Sequence, residues 1–166
     1  GVLTNRGAPQ ATMTDAGTRG SEGDPHDLRR FSEAQEGVYE TALSELRNGR
    51  KRSHWMWYVF PQCAGLGTSV TSRRFAIGSV AEAEAYLAHP LLGPRLVECA
   101  DAVLAVAGRS AHEIFGSPDD LKLQSSATLF ASVSPPGSVF ERLLDKYFAG
   151  ERDDATLRLI GRAPTD

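Results

Sequence analysis

Residues 79–116 read SVAEAEAYLAHPLLGPRLVECADAVLAVAGRSAHEIFG, and the fold class follows from this stretch. Ser79 with Glu82 three residues on is a capping box, in which the Ser side chain and the Glu side chain each satisfy a free backbone N–H at a helix start. The Ala-rich run that follows reaches Ala88 and must end near His89-Pro90, because the residue before Pro avoids the helical region. Apolar residues then recur at Leu92, Leu96, Cys99, Val103 and Val106, the spacing of one helix face. Gly108 stops that helix. Ser110 and Glu113 repeat the capping box, and Gly116 closes a short helix behind it.

The same start and stop signals continue on both sides. Downstream, Ser117-Pro118-Asp119-Asp120 opens a helix running to about Ser132, and Pro135-Pro136-Gly137 is a loop. Val139, Phe140, Leu143, Leu144, Tyr147 and Phe148 mark an amphipathic helix closed by Gly150, and Asp153 or Asp154 caps a last one around Leu157 and Ile160. Upstream, Asp24-Pro25 is a helix entry. Leu28, Phe31, Gln35, Val38, Ala42 and Leu46 predict one helix, stopped at Asn48-Gly49. Residues 55–60 are a short apolar run whose periodicity does not decide strand from helix. The expectation is an all-α fold: a compact, irregular multi-helix bundle forming a single domain over residues 24–162, with at most a minor strand near Trp55 and Phe60. Residues 1–23 carry no apolar periodicity and are expected to be a flexible arm outside it.

Composition narrows the function classes. Of 166 residues, 41% are hydrophobic, enough for a core, and the formal net charge of −3 argues against a general nucleic-acid binder. No apolar run is long enough to span a membrane, and no secretory pattern opens the chain. Cys63 and Cys99 lack metal-ligand spacing, and His26, His54, His89 and His112 are scattered, so no metal or other cofactor is expected. Two free thiols fit a reduced, cytoplasmic setting.

The chemistry-bearing residues concentrate in residues 50–77, RKRSHWMWYVFPQCAGLGTSVTSRRFAI. Trp55 and Trp57 would share a face in an extended segment and diverge in a helix. The plain reading makes one of them a core anchor. The functional reading makes an aromatic wall that stacks a planar ligand. Gly65-Leu66-Gly67-Thr68-Ser69 is a turn that could present N–H groups to an anion, with Arg73 and Arg74 close by. Lys122, Ser125 and Ser126 are neighbours on a helix surface. Small hydroxyls there either let helices pack closely or floor a polar pocket. Arg109, at a new helix start, is a further candidate. There is no nucleophile elbow, phosphate-binding loop or His-Glu-x-x-His motif, so whether the chain is an enzyme stays open.

Several of these motifs carry a resemblance. They are Trp55-x-Trp57-x-x-Phe60-Pro61-Gln62, Gly65-Leu66-Gly67-x-Ser69, Phe75-Ala76-Ile77 and His89-Pro90-x-Leu92-Gly93-x-Arg95-Leu96. Further along come Gly108-Arg109-Ser110, Ile114-Phe115-Gly116, Asp120-x-Lys122-Leu123-x-Ser125-Ser126-x-Thr128-Leu129-Phe130 and Leu144-Asp145-Lys146-Tyr147-Phe148. Together they resemble an uncharacterised bacterial family, the "domain of unknown function eighteen-ten". The resemblance spans about residues 24–160 and implies a compact, mainly helical domain with no established reaction. The label calpastatin carried by some members does not suit this chain, because calpastatin inhibitory segments are disordered whereas these helices are patterned for a core. Gln124 and Ala127 stand where many relatives have a basic residue and a Met.

Two readings of function remain. In the first, Trp57, Gln62, Ser69, Arg73, Arg109, Lys122 and Ser126 converge on one cleft that binds, with catalysis left open, a small anionic, nucleotide-like ligand. In the second, the chain is a non-catalytic protein–protein interaction module presenting residues 55–60 as an aromatic patch. A concave polar-lined pocket would favour the first, and a flat exposed aromatic surface the second.

Overall fold

The structure, a computed structural model, describes residues 23–161. The expected arm therefore lies outside the described residues except for Gly23. Among the described residues ten helices follow one another: α1 (Arg29–Gln35), α2 (Tyr39–Arg47), α3 (Met56–Val59), α4 (Val70–Arg74), α5 (Val80–Ala88), α6 (Leu92–Leu104), α7 (Ala111–Phe115), α8 (Asp119–Ala131), α9 (Val139–Phe148) and α10 (Asp154–Leu159). The all-α expectation holds. Among the described residues, extended pairing is limited to one parallel bridge between Cys63 and Ile77. No helix among them is long and apolar enough to cross a membrane.

Ser79, Ser110 and Asp153 cap helices where the sequence signals them, whereas the helix after Ser117-Pro118 starts without a side-chain cap. Ser69, Ser79, Ser110, Ser138 and Asp153 each accept the N–H three residues on. Ser110 and Glu113 form the full reciprocal box. At α5 the box is only half made, because the Glu82 carboxylate turns to Gly78 N–H and to the Arg30 guanidinium. Asp24 accepts from the N–H groups of Leu28 and Arg29, which holds the chain entry in place.

α8 is the centre of the bundle and packs on α5, α7, α9 and α10. Leu123, Leu129 and Phe130 on it are fully covered. Each contributes about 1.5–3 kcal/mol by burial, far more than the few tenths of a kcal/mol per residue from intrinsic helix preference. Two of its three buried hydroxyls, those of Thr128 and Ser125, are paired. Thr128 Oγ1 donates to Gln124 O (2.8 Å) and accepts from Asp153 N–H (2.9 Å). Ser125 Oγ donates to Leu121 O (3.2 Å) and to Asp153 Oδ2 (3.0 Å). These bonds tie the start of α10 to α8. α6 completes the core, packing on α2, α5 and α9.

One expectation is corrected. The single helix predicted from Leu28 to Leu46 is two helices: Gly37 between α1 and α2 has φ +76°, a left-handed conformation that ends a right-handed helix. Apolar spacing carried across the break because both helices bury the same side of the chain, through Phe31, Gln35, Ala42, Leu43 and Leu46. The run at residues 55–60, where periodicity left strand and helix open, carries the single helical turn of α3, within the expectation of at most a minor strand.

Candidate functional site

The turn at α3 separates the two tryptophans. Trp55 enters the core at 1% exposure, while Trp57 stays half-buried at the surface. The chain then passes Pro61 and is fixed by the bridge to Ile77: Ile77 N–H donates to Gln62 O and Ala64 N–H to Ile77 O, both at 2.8 Å. Gly65, at φ +102°, turns the chain back. Gly67 lets the loop close on α4, since a Cβ there would stand 2.7 Å from Ser72 Cβ and Oγ. The result is a cleft of about 300 Å³ between this loop, α4, the first turns of α8 and the cap of α10.

Trp57, Gln62, Arg73 and Lys122 all line it. Lys122 Nζ lies 4.1 Å from the Trp57 ring centroid and 2.9 Å from Asp119 Oδ1. Asp119 Oδ2 is 2.9 Å from Lys51 Nζ, which also donates to Ser53 O and sits 5.0 Å from the Trp55 ring centroid. One carboxylate thus joins two lysines, each seated over a tryptophan, and the trio keeps one net positive charge beside the cleft. Burial alone would raise the Asp119 carboxyl, but the hydrogen bonds and charges of Lys122 and Lys51 outweigh it and hold the group below its usual range. Arg73 donates from Nε (3.0 Å) and Nη2 to Thr68 O, which leaves part of its fork free at the exposed rim.

Three of the sequence-predicted residues do not line the cleft. Ser69 is occupied as the cap of α4, accepting from Ser72 N–H at 3.1 Å. Arg109 is exposed on another part of the surface, beside Gly49. Ser126 is buried in the core face of α8, and Ser125, one residue earlier, borders the cleft instead. Spacing from Lys122 allowed either serine, and the rotation of α8 against α10 decides between them.

Asp153 is a charged lining residue that sequence reasoning did not assign to the site. Its Oδ2 accepts from Ser125 Oγ, Thr156 N–H and Thr156 Oγ1. Its sequence signal is only that of a helix cap. Cys63 also lines the cleft. Burial raises its thiol pKa, the Thr156 hydrogen bond opposes this and the Asp153 charge adds to the rise, so the sulfur stays a protonated, weak nucleophile. Among the described residues no group of three or more His, Cys, Asp or Glu is placed to hold a metal ion.

The aromatic-patch reading loses its surface. Trp55, Met56, Val59 and Phe60 are all 3% exposed or less, so residues 55–60 are core with only Trp57 and Tyr58 partly outside.

Comparison with known proteins agrees with this architecture and adds no activity. The family model described as "Protein of unknown function (DUF1810)" matches residues 25–160. The crystal structure of the conserved hypothetical protein Rv1873 from Mycobacterium tuberculosis is 55% identical and superposes with a TM-score of 0.81, covering 82% of this chain and 98% of that one. No curated protein matches.

Proposed function

The chain belongs to the DUF1810 family, whose description gives no reaction, and we propose from the cleft itself that it binds a small anionic molecule bearing a planar ring. The observation that carries this reading is the meeting of Trp57, Gln62, Arg73 and Lys122, from four separate segments, around one concavity of about 300 Å³. That volume lies at the lower end of the range for small-molecule sites, about 300–1,000 Å³. It suits a mononucleotide-sized ligand rather than a larger one. The Lys122 ammonium has one of its three N–H groups engaged by Asp119, which leaves donors for an anion. The Arg73 fork adds a second cation at the rim. The apolar share of the wall, from Trp57, Leu66, Phe75, Pro118 and Leu121, receives the ring.

Thermal shift separates charge from ring. Nucleoside monophosphates and ribose 5-phosphate are expected to raise Tm, while the uncharged nucleosides raise it far less. At a hundredfold excess over Kd the stabilisation is about 2.7 kcal/mol. Lys122→Ala should abolish the shift by the phosphates without lowering the Tm of the free protein by more than a few degrees. Equal shifts by nucleosides and nucleotides, or no shift by any phosphate, would refute the reading.

A further inference from the structure

Two glutamines are among the buried polar residues, and their surroundings differ. Gln35, 2% exposed, is fully used: its Nε2 donates to Tyr58 O (2.7 Å) and Tyr86 Oη (3.3 Å), and its Oε1 accepts from Arg95 Nη1 (3.2 Å). Gln62, 8% exposed, lines the cleft, and its side-chain amide makes no hydrogen bond among the described residues. Burying an unpaired amide is costly, and native buried amides are nearly always paired. The Gln62 carbonyl itself accepts from Ile77 N–H in the bridge, so the backbone that carries this side chain is held at the wall. The neighbouring hydroxyls are already committed, Ser125 Oγ to Leu121 O and Asp153, and Ser72 Oγ to Ser69 O.

We propose that Gln62 is the specificity-determining residue of the cleft, and that it selects a planar group presenting a hydrogen-bond donor and acceptor side by side, as the edge of a nucleobase does. A carboxamide offers the matching acceptor and donor in one plane, the geometry by which Gln reads an adenine edge bidentately. The anion lies with Lys122 and Arg73 and the ring edge with Gln62. This rests on the reading of the cleft as an anion-binding site, and it adds the part of the ligand that charge does not select.

Calorimetric titration of the full chain tests it with five probes: the adenosine, guanosine, cytidine and uridine 5′-monophosphates, and ribose 5-phosphate, which keeps the anion and sugar but has no edge. The expected result is that at least one nucleotide binds about ten- to a hundredfold more tightly than ribose 5-phosphate, the discrimination of one good bidentate pair. Gln62→Met should weaken binding of that nucleotide about ten- to a hundredfold, leaving only what the ring gains on the apolar wall, while the ribose 5-phosphate affinity stays unchanged. The same variant should keep or raise Tm, because it removes an unpaired amide from the interior. Equal affinity for all five probes would overturn the role of Gln62 and leave the anion site standing. A preference of undiminished size in Gln62→Met, or a Tm fall of several degrees in it, would also overturn that role, the latter by assigning the amide to the fold; Gln62→Leu repeats both readings if the Met variant does not fold. Failure of every phosphate to bind would overturn the anion site and this inference together.

Discussion

Glu45 gives the sharpest test of how the cleft is held. Its Oε1 accepts from Arg52 N–H (2.8 Å), Ser53 N–H (3.0 Å) and Trp55 Nε1–H (2.8 Å), and its Oε2 from Ser53 Oγ (2.6 Å). Partial burial raises the carboxyl, but the Ser53, Arg52 and Trp55 hydrogen bonds outweigh it and bring the group from 4.5 down to about 2. A depression of that size corresponds to roughly 3 kcal/mol at 1.36 kcal/mol per pH unit, which solvent at a partly exposed carboxylate reduces to about 1–2 kcal/mol. The sign follows from the direction. The folded state holds the proton less tightly than the unfolded state, so the stabilisation is complete above pH 4.5 and disappears as pH falls toward 2. Glu45→Gln keeps an oxygen for the three N–H donors and lacks the charge. Urea unfolding followed by Trp fluorescence should place it about 1–2 kcal/mol below the native protein at pH 7. The gap should narrow by more than half at pH 3. Glu45→Ala leaves the donors without an acceptor and should fall further at both pH values. A gap between Gln and native that is the same at pH 3 as at pH 7, or absent at pH 7, would refute the assignment.

Gly93→Ala should lower Tm by several degrees although Ala favours helices, because its Cβ would come 2.1 Å from Leu87 O and 2.9 Å from Leu87 C, both backbone atoms of α5; an unchanged or higher Tm would show that α5 and α6 separate freely. The two lysines on Asp119 should be unequal. Lys51, with a side chain 7% exposed, should cost about 1–3 kcal/mol as Lys51→Met, whereas Lys122→Met, 20% exposed, should cost no more than about 1 kcal/mol in chemical denaturation; the reverse order would contradict the burial argument.

Local signals in this chain were legible wherever the physics is local. Ser79, Ser110 and Asp153 announce helix starts because a cap needs only its own next three residues. Gly49, Gly108 and Gly116 mark helix ends because φ near +74° favours a residue without a Cβ. Gly37 escaped because the apolar spacing ran on through it. The cleft was legible in part: Trp57, Gln62, Arg73 and Lys122 stood out as polar or aromatic groups amid apolar anchors. Ser126 was favoured over Ser125 because a helix pattern gives spacing but not rotation. Asp153 was hidden by its own cap, and the Lys51–Asp119–Lys122 bridge joins residues 68 and 3 positions apart in the chain, which no window of sequence displays.

That bridge also explains why a surface cleft is built from core residues. Glu45 holds the 52–55 segment through two backbone N–H groups, a hydroxyl and the Trp55 indole. Lys51, beside that segment, reaches back to Ser53 O and across to Asp119. Asp119 in turn holds Lys122 over Trp57. Each contact fixes the next donor, so the ammonium at the cleft is positioned by packing rather than by its own flexible stem. A free lysine would lose much of its rotamer entropy on binding an anion. Lys122 has surrendered part of that freedom in the folded state. The same chain of contacts means that loosening the 52–55 segment at Glu45 should weaken the cleft and the fold together, whereas changing Gln62, which stands outside it, should alter ligand choice alone.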